Sequence, residues 1–102
     1  MNGKQEKMTK SKEKSQDIYN SACKFIFEAY GWENQKQQLI QELAELIQAI
    51  TKNDLTNLIE EIADVQVLID QIVTVYPLFR KKIEFVKLYK VKRQLERIKR
   101  GE

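Results

Sequence analysis

Apolar residues recur every three or four positions through most of this chain, the period of a helix with one buried face. Ile18, Ala22, Phe25, Ile26 and Ala29 mark a first helix from about Ser15 to Tyr30, and Gly31 suits the left-handed position just past its end. Leu39, Leu43, Leu46 and Ile50, widened by Ile40 and Ile47, mark a second helix from about Asn34 to Thr51. Asn34 is its expected cap, with Gln37 as capping-box partner. Lys52, Asn53 and Asp54 make a short loop, and Asp54 is placed to cap a third helix from Leu55 to about Tyr76. From Ile62 onward that helix is apolar nearly all round, so it is expected at the centre of the fold. Pro77 breaks the hydrogen-bond ladder and opens a fourth helix, which carries Phe79, Ile83, Val86, Val91, Leu95 and Ile98 between basic residues.

Residues 1–14 lack this periodicity and hold five lysines, so they read as a disordered basic arm preceding one helical domain over 15–100. Short connections between the helices predict an all-α, antiparallel bundle of about four helices. The third helix carries more apolar surface than one small bundle covers. The bundle is therefore expected to be completed by oligomerisation, as a homodimer or a homotetramer.

Composition narrows the chemistry. With 3 Gly and 1 Pro in 102 residues, long helices are favoured over a turn-rich β fold. No apolar run is long enough to span a membrane, and the lysine-rich start is not followed by the apolar segment of a signal peptide. Cys23, the single cysteine, has no internal disulfide partner, and a cytoplasmic location is the simple expectation. The chain has no histidine, which removes the commonest general base and transition-metal ligand and makes zinc hydrolysis or a Ser-His-Asp triad poor hypotheses.

The net charge of +3 hides a strong asymmetry. Residues 25–75 hold nine acids against Lys36 and Lys52, a local charge of −7. Arg80 to Arg100 holds ten basic residues against Glu84 and Glu96. An acidic centre and a basic end suit a metal ion and a polyphosphate respectively; a basic helix face in solvent explains the second feature equally well.

Within the acidic centre, Glu42/Glu45 and Glu61/Asp64 form two pairs at i,i+3 spacing. Such residues are neighbours on one helix face, and both pairs flank apolar stripes, where an unpaired charge is costly. Few basic partners are nearby, and clustered carboxylates repel unless a cation neutralises them. Four carboxylates from two facing helices make a site for a hard divalent cation such as Mg2+, with Mn2+ the other candidate. A solvated acidic surface is the bland alternative.

At these residues the chain resembles the MazG-like all-α nucleoside triphosphate pyrophosphohydrolases. Their motif is Glu-Glu-x-x-Glu, a spacer, then Glu-x-x-Asp. Here it reads Gln41-Glu42-Leu43-Ala44-Glu45, then Glu61-Ile62-Ala63-Asp64, with Gln41 where the first acid of the family pattern usually stands. The lead-in Tyr30-Gly31-Trp32-Glu33-Asn34-Gln35 and the tail from Lys90 to Ile98 are similar to the family's, so the resemblance spans roughly residues 16–99. It implies Mg2+-dependent hydrolysis of an NTP or dNTP to the monophosphate and pyrophosphate. Glu42, Glu45, Glu61 and Asp64 would hold the metal and carry the catalysis. Lys90, Arg93 and Arg97 are the candidates for phosphate contacts, with Lys36 a further one. Trp32 is a candidate to stack on a base, or a hinge residue packed beside the first loop, and Leu68 is expected to wall the pocket.

Two other readings stay open. Gln41 keeps alive a catalytically inactive MazG-like binding or regulatory module. The basic arm and tail suit a small nucleic-acid-binding helical protein. The acidic centre repels nucleic acid, and no helix-turn-helix pattern is present, so a nucleic-acid partner is not expected.

Overall fold

The computed structural model describes residues 3–102, apart from the side chain of Lys4. These residues form four helices: α1 (Gly3–Tyr30), α2 (Trp32–Lys52), α3 (Leu55–Val75) and α4 (Pro77–Lys99), with no strand among the described residues. Helix α3 is central, packing against each of the other three, as its all-round apolar surface requires. Val65, Leu68 and Val73 supply its buried apolar side chains.

Helix α1 begins at Gly3, well before the Ser15 expected from the apolar pattern. Residues 1 and 2 of the expected arm lie outside the described residues; from Gly3 onward the arm continues the helix. This stretch is rich in Lys, Glu and Gln, which are good helix formers, and extending a helix already docked on α3 avoids the cost of nucleation. It is solvated on every side, so apolar periodicity carries no signal for it.

The buried stripe of α1 also differs from the expected one. Cys23 and Phe27 are buried, whereas Ile18 and Phe25 are 62% and 73% exposed. One turn before Cys23, the Tyr19 hydroxyl donates to Asp70 Oδ2 of α3 at 2.7 Å and ties the two helices together. The Cys23 thiol is pushed up from its ordinary pKa by burial.

Gly31 turns the chain between α1 and α2 at φ 84°, ψ 160°, backbone that a side-chain-bearing residue rarely adopts. It caps α2 without a side-chain hydrogen bond. Asn34 is therefore not the cap that the sequence suggests: it lies inside the first turn of α2, and its Nδ2 donates to Tyr30 O, closing the end of α1. Asp54 does cap α3, accepting from the Asn57 backbone N–H at 3.2 Å, and Pro77 opens α4 as expected.

At Tyr76 the chain turns by 119° from α3 into α4. Phe27, Trp32, Tyr76 and Phe79 gather at this corner, with ring centroids 5.3–6.2 Å apart. Beyond it α4 buries none of its residues. The radius of gyration is 17.7 Å, against about 13 Å for a close-packed chain of this length. The single chain is thus an open bundle whose fourth helix projects. No single helix among the described residues is long and apolar enough to cross a membrane.

Candidate functional site

Helices α2 and α3 are joined by a tight loop in which Asn53 takes the left-handed conformation at φ 56°. That loop folds them antiparallel. Glu42 consequently meets Glu61 near the middle of the pair, and Gln35 meets Gln71 further from the loop.

Carboxylate oxygens of Glu42, Glu45 and Glu61 lie within 4.8 Å of one another. All three residues are half-buried. Oε2 of Glu42 and Oε2 of Glu61 are shielded from solvent and have no hydrogen-bond partner. Two carboxylate oxygens make no bond with each other unless a proton or a cation lies between them. Burial is the main cause that raises the Glu42 pKa, followed by its contact with Glu45. Burial likewise pushes Glu61 up to about 7, followed by its contact with Glu42 and the negative charges of Glu45, Glu42 and Asp64. Among the described residues, no Lys or Arg pairs with any of these carboxylates.

Neighbouring glutamines position the α2 carboxylates. Gln38 Nε2 donates to Glu42 Oε1 at 2.8 Å, and Gln41 Nε2 reaches Glu45 Oε1 at 3.4 Å. Gln41, the departure from the acidic motif, thus sits as a neutral donor beside the cluster.

A groove of about 740 Å³ opens next to these carboxylates. Glu42 and Asp64 line it at the acidic end, and Gln35, Leu68 and Gln71 line it further along. Asp64 is exposed and stands beside the three-carboxylate cluster instead of within it. Leu68 is buried and lines the groove.

The other candidates lie elsewhere in the chain. Lys36 pairs with Glu33 at 2.9 Å, and Trp32 leans on Phe27 at 6.2 Å; neither lines the groove. Lys90, Arg93 and Arg97 ride on the projecting α4, away from the groove of their own chain. There the Arg93 guanidinium stands 5.8 Å from the Tyr89 ring centroid, and its Nε is shielded and unpartnered.

Sequence reasoning missed the amide lining. Gln35 and Gln71 are 7% and 3% exposed, and Gln35 Nε2 donates to Gln71 Oε1 at 2.7 Å. The signal available was their spacing: Gln35 lies seven residues before Glu42 and Gln71 seven after Asp64, two helical turns in each case.

The donor set fits a hard divalent cation. It is all oxygen and anionic, it holds two orphaned carboxylate oxygens, and its ligand atoms lie within 4.8 Å of one another, close enough to share one ion.

Compared with known proteins, residues 31–82 match the family model of the MazG nucleotide pyrophosphohydrolase domain. This stretch is half of the chain and contains all four motif carboxylates. No curated protein and no solved structure matches the chain.

Proposed function

The chain belongs to the MazG nucleotide pyrophosphohydrolase family, and from that premise we propose that it hydrolyses a nucleoside or deoxynucleoside triphosphate to the monophosphate and pyrophosphate. The observation that carries this reading is the convergence of Glu42, Glu45 and Glu61 beside a groove that Glu42 lines, with no cationic side chain among the described residues to neutralise them.

In this reading Glu42, Glu45 and Glu61 hold Mg2+, or Mn2+ in its place, and Asp64 acts beside them from the groove wall. A bound divalent ion supplies charge neutralisation for phosphate oxygens and lowers the pKa of a coordinated water. The chain's own part is to place the carboxylates. Gln38 and Gln41 orient Glu42 and Glu45 through their amide donors. Glu42 Oε2 and Glu61 Oε2 are shielded from water, and Leu68 and Val67 form the apolar wall against which a substrate is held.

The phosphate-binding role of Lys90, Arg93 and Arg97 calls for a second copy. The acidic α2–α3 centre and the basic α4 are complementary in charge. The apolar residues left uncovered include Phe25 on α1 and Phe85 and Leu88 on α4. We infer a homodimer or homotetramer in which one protomer's α4 lies against the acidic centre of another.

The test is a panel of standard and modified NTPs and dNTPs, assayed for pyrophosphate and monophosphate with and without Mg2+, for the wild type and Glu61→Gln. Metal-dependent release lost in the variant supports the hydrolase. A folded wild-type protein that turns over no nucleotide would leave a binding module on the same scaffold.

A further inference from the structure

The groove has two chemically distinct ends. One is anionic, at Glu42 and Asp64. The other is neutral: Gln35 and Gln71 lie side by side in its wall, with Leu68 and Val67 adjacent and Tyr30 and Asn34 at the rim. Among the described residues, no Lys or Arg lines any part of it. The neutral end is therefore poorly suited to phosphate and well suited to an uncharged, hydrogen-bonding heterocycle.

The glutamine pair is only half used. Its internal hydrogen bond takes one hydrogen of Gln35 Nε2 and one lone pair of Gln71 Oε1. Gln35 Oε1 and Gln71 Nε2 have no partner among the described residues, yet neither is among the fully shielded orphans. Both side chains line the groove, so these atoms open onto it. Reversing both amides would keep one acceptor beside one donor but exchange their places. Opening onto the groove, these two atoms meet water, and a ligand edge with one donor beside one acceptor can replace that water bond for bond.

We propose that Gln35 and Gln71 form the base-reading element of this site, bonding the edge of a nucleobase whose phosphates lie toward Glu42 and Asp64. This rests on the nucleotide reading given above and deepens it. Gln35 is two turns from Glu42 along α2, and Gln71 is two turns from Asp64 along α3, an axial offset of about 10 Å. That offset is comparable to the span from a nucleobase edge to the phosphates on its sugar. In this orientation Gln35 offers the acceptor and Gln71 the donor, and their mutual bond means that neither amide turns without the other. A base with the opposite order meets donor against donor and acceptor against acceptor, and the buried pair is left unpaired.

Calorimetric titration with the adenine, cytosine, guanine, uracil and thymine nucleoside monophosphates in Mg2+ tests the proposal. The wild-type chain is expected to prefer one base by about tenfold or more. Gln35→Met/Gln71→Met, which replaces both partners with side chains of similar shape and strands neither, is expected to bind all five alike. Gln35→Asn keeps the amide but withdraws it by one methylene, and is expected to lose the preferred base by a similar factor. Equal wild-type affinities, no wild-type binding, or a preference that survives in either folded variant would overturn the proposal. Base preference without nucleotide hydrolysis sinks the hydrolase and leaves the base-reading pair standing; hydrolysis without base preference does the reverse.

Discussion

Glu42 on α2 and Glu61 on α3 each turn a solvent-shielded, unpartnered carboxylate oxygen into the same cluster. In the absence of a cation, a proton is the only mediator between them, which gives a pH dependence of definite sign. Glu61 is raised from 4.5 to about 7, so between these values the folded state binds more protons than the unfolded one. Its contribution to stability is full below about pH 4.5 and is lost as pH rises through about 7. Subtracting the urea-derived stability of Glu61→Gln from that of the metal-free wild type should give a curve that falls across this window and is flat above it. A difference curve that rises there contradicts the cluster.

A divalent cation should reverse that sign. Mg2+ needs the ionised carboxylates, so its affinity should increase with pH through about 7, with proton release on binding below that value. At ten times its dissociation constant, near pH 7.5, the ion adds about 1.4 kcal/mol, or roughly 5–10 °C in Tm for a chain of this size. Glu61→Gln should melt higher than the metal-free wild type, because one repelling charge is gone. It should lose the Mg2+-induced increment, and also about a hundredfold or more of any nucleotide hydrolysis. Calorimetric melts with and without Mg2+ decide the stability half of this prediction. An unchanged Mg2+ increment in the variant would remove Glu61 from the metal site.

Features encoded locally were legible in the sequence. Asp54 and Pro77 announce helix starts because capping and the loss of an N–H act within one turn. Glu42 and Glu45 share a helix face through their i,i+3 spacing, and the antiparallel α2–α3 pair brings Glu61 to them, whereas Asp64, expected in the same set, stands outside it. Features set by which faces meet were not legible. The first helix carries two apolar faces, and nothing in its own pattern says that Cys23 and Phe27 are buried while Ile18 and Phe25 are not. Gln35 and Gln71 read as solvated polar residues until the α2–α3 register brings their amides to 2.7 Å. Asn34 has the composition of a cap, yet Gly31 takes that position because only glycine readily adopts its backbone.

Gly31→Ala isolates that backbone requirement. A Cβ at residue 31 meets nothing within 4 Å, so the change introduces no clash. Its cost comes from holding alanine at φ 84°, ψ 160°, about 1–3 kcal/mol. The expected result is a lower denaturation midpoint with an unchanged m value. A midpoint equal to the wild type's would mean that the chain turns differently between α1 and α2.

The Tyr19–Asp70 hydrogen bond predicts a smaller effect. Removing the hydroxyl in Tyr19→Phe keeps the ring and loses a 2.7 Å bond to a carboxylate. Since the bond is partly exposed, the expected destabilisation is about 1 kcal/mol. Burial, then donation to Asp70, raises the Tyr19 pKa. Alkaline spectrophotometric titration of the wild type should therefore show one tyrosine ionising later than the others. That late component should vanish in Tyr19→Phe and move to lower pH in Asp70→Asn. A titration without a late component would show that the tie does not form.

The projecting α4 leads to the last expectation. It buries no residue in its own chain, and Phe85 and Leu88 on it are 74% and 73% exposed. Placing several such side chains in water forgoes about 1.5–3 kcal/mol each, a large sum for a 102-residue chain whose net stability is of order 5–15 kcal/mol. Sedimentation equilibrium should give a dimer or tetramer at micromolar concentration. Leu88→Glu should shift it toward monomer, and Phe25→Glu on α1 tests whether that face joins the same interface. If basic α4 meets the acidic centre of another copy, association should also weaken with salt. A wild-type protein that stays monomeric at every concentration and salt would leave Lys90, Arg93 and Arg97 without a route to the groove, and the phosphate contacts would then have to come from other residues.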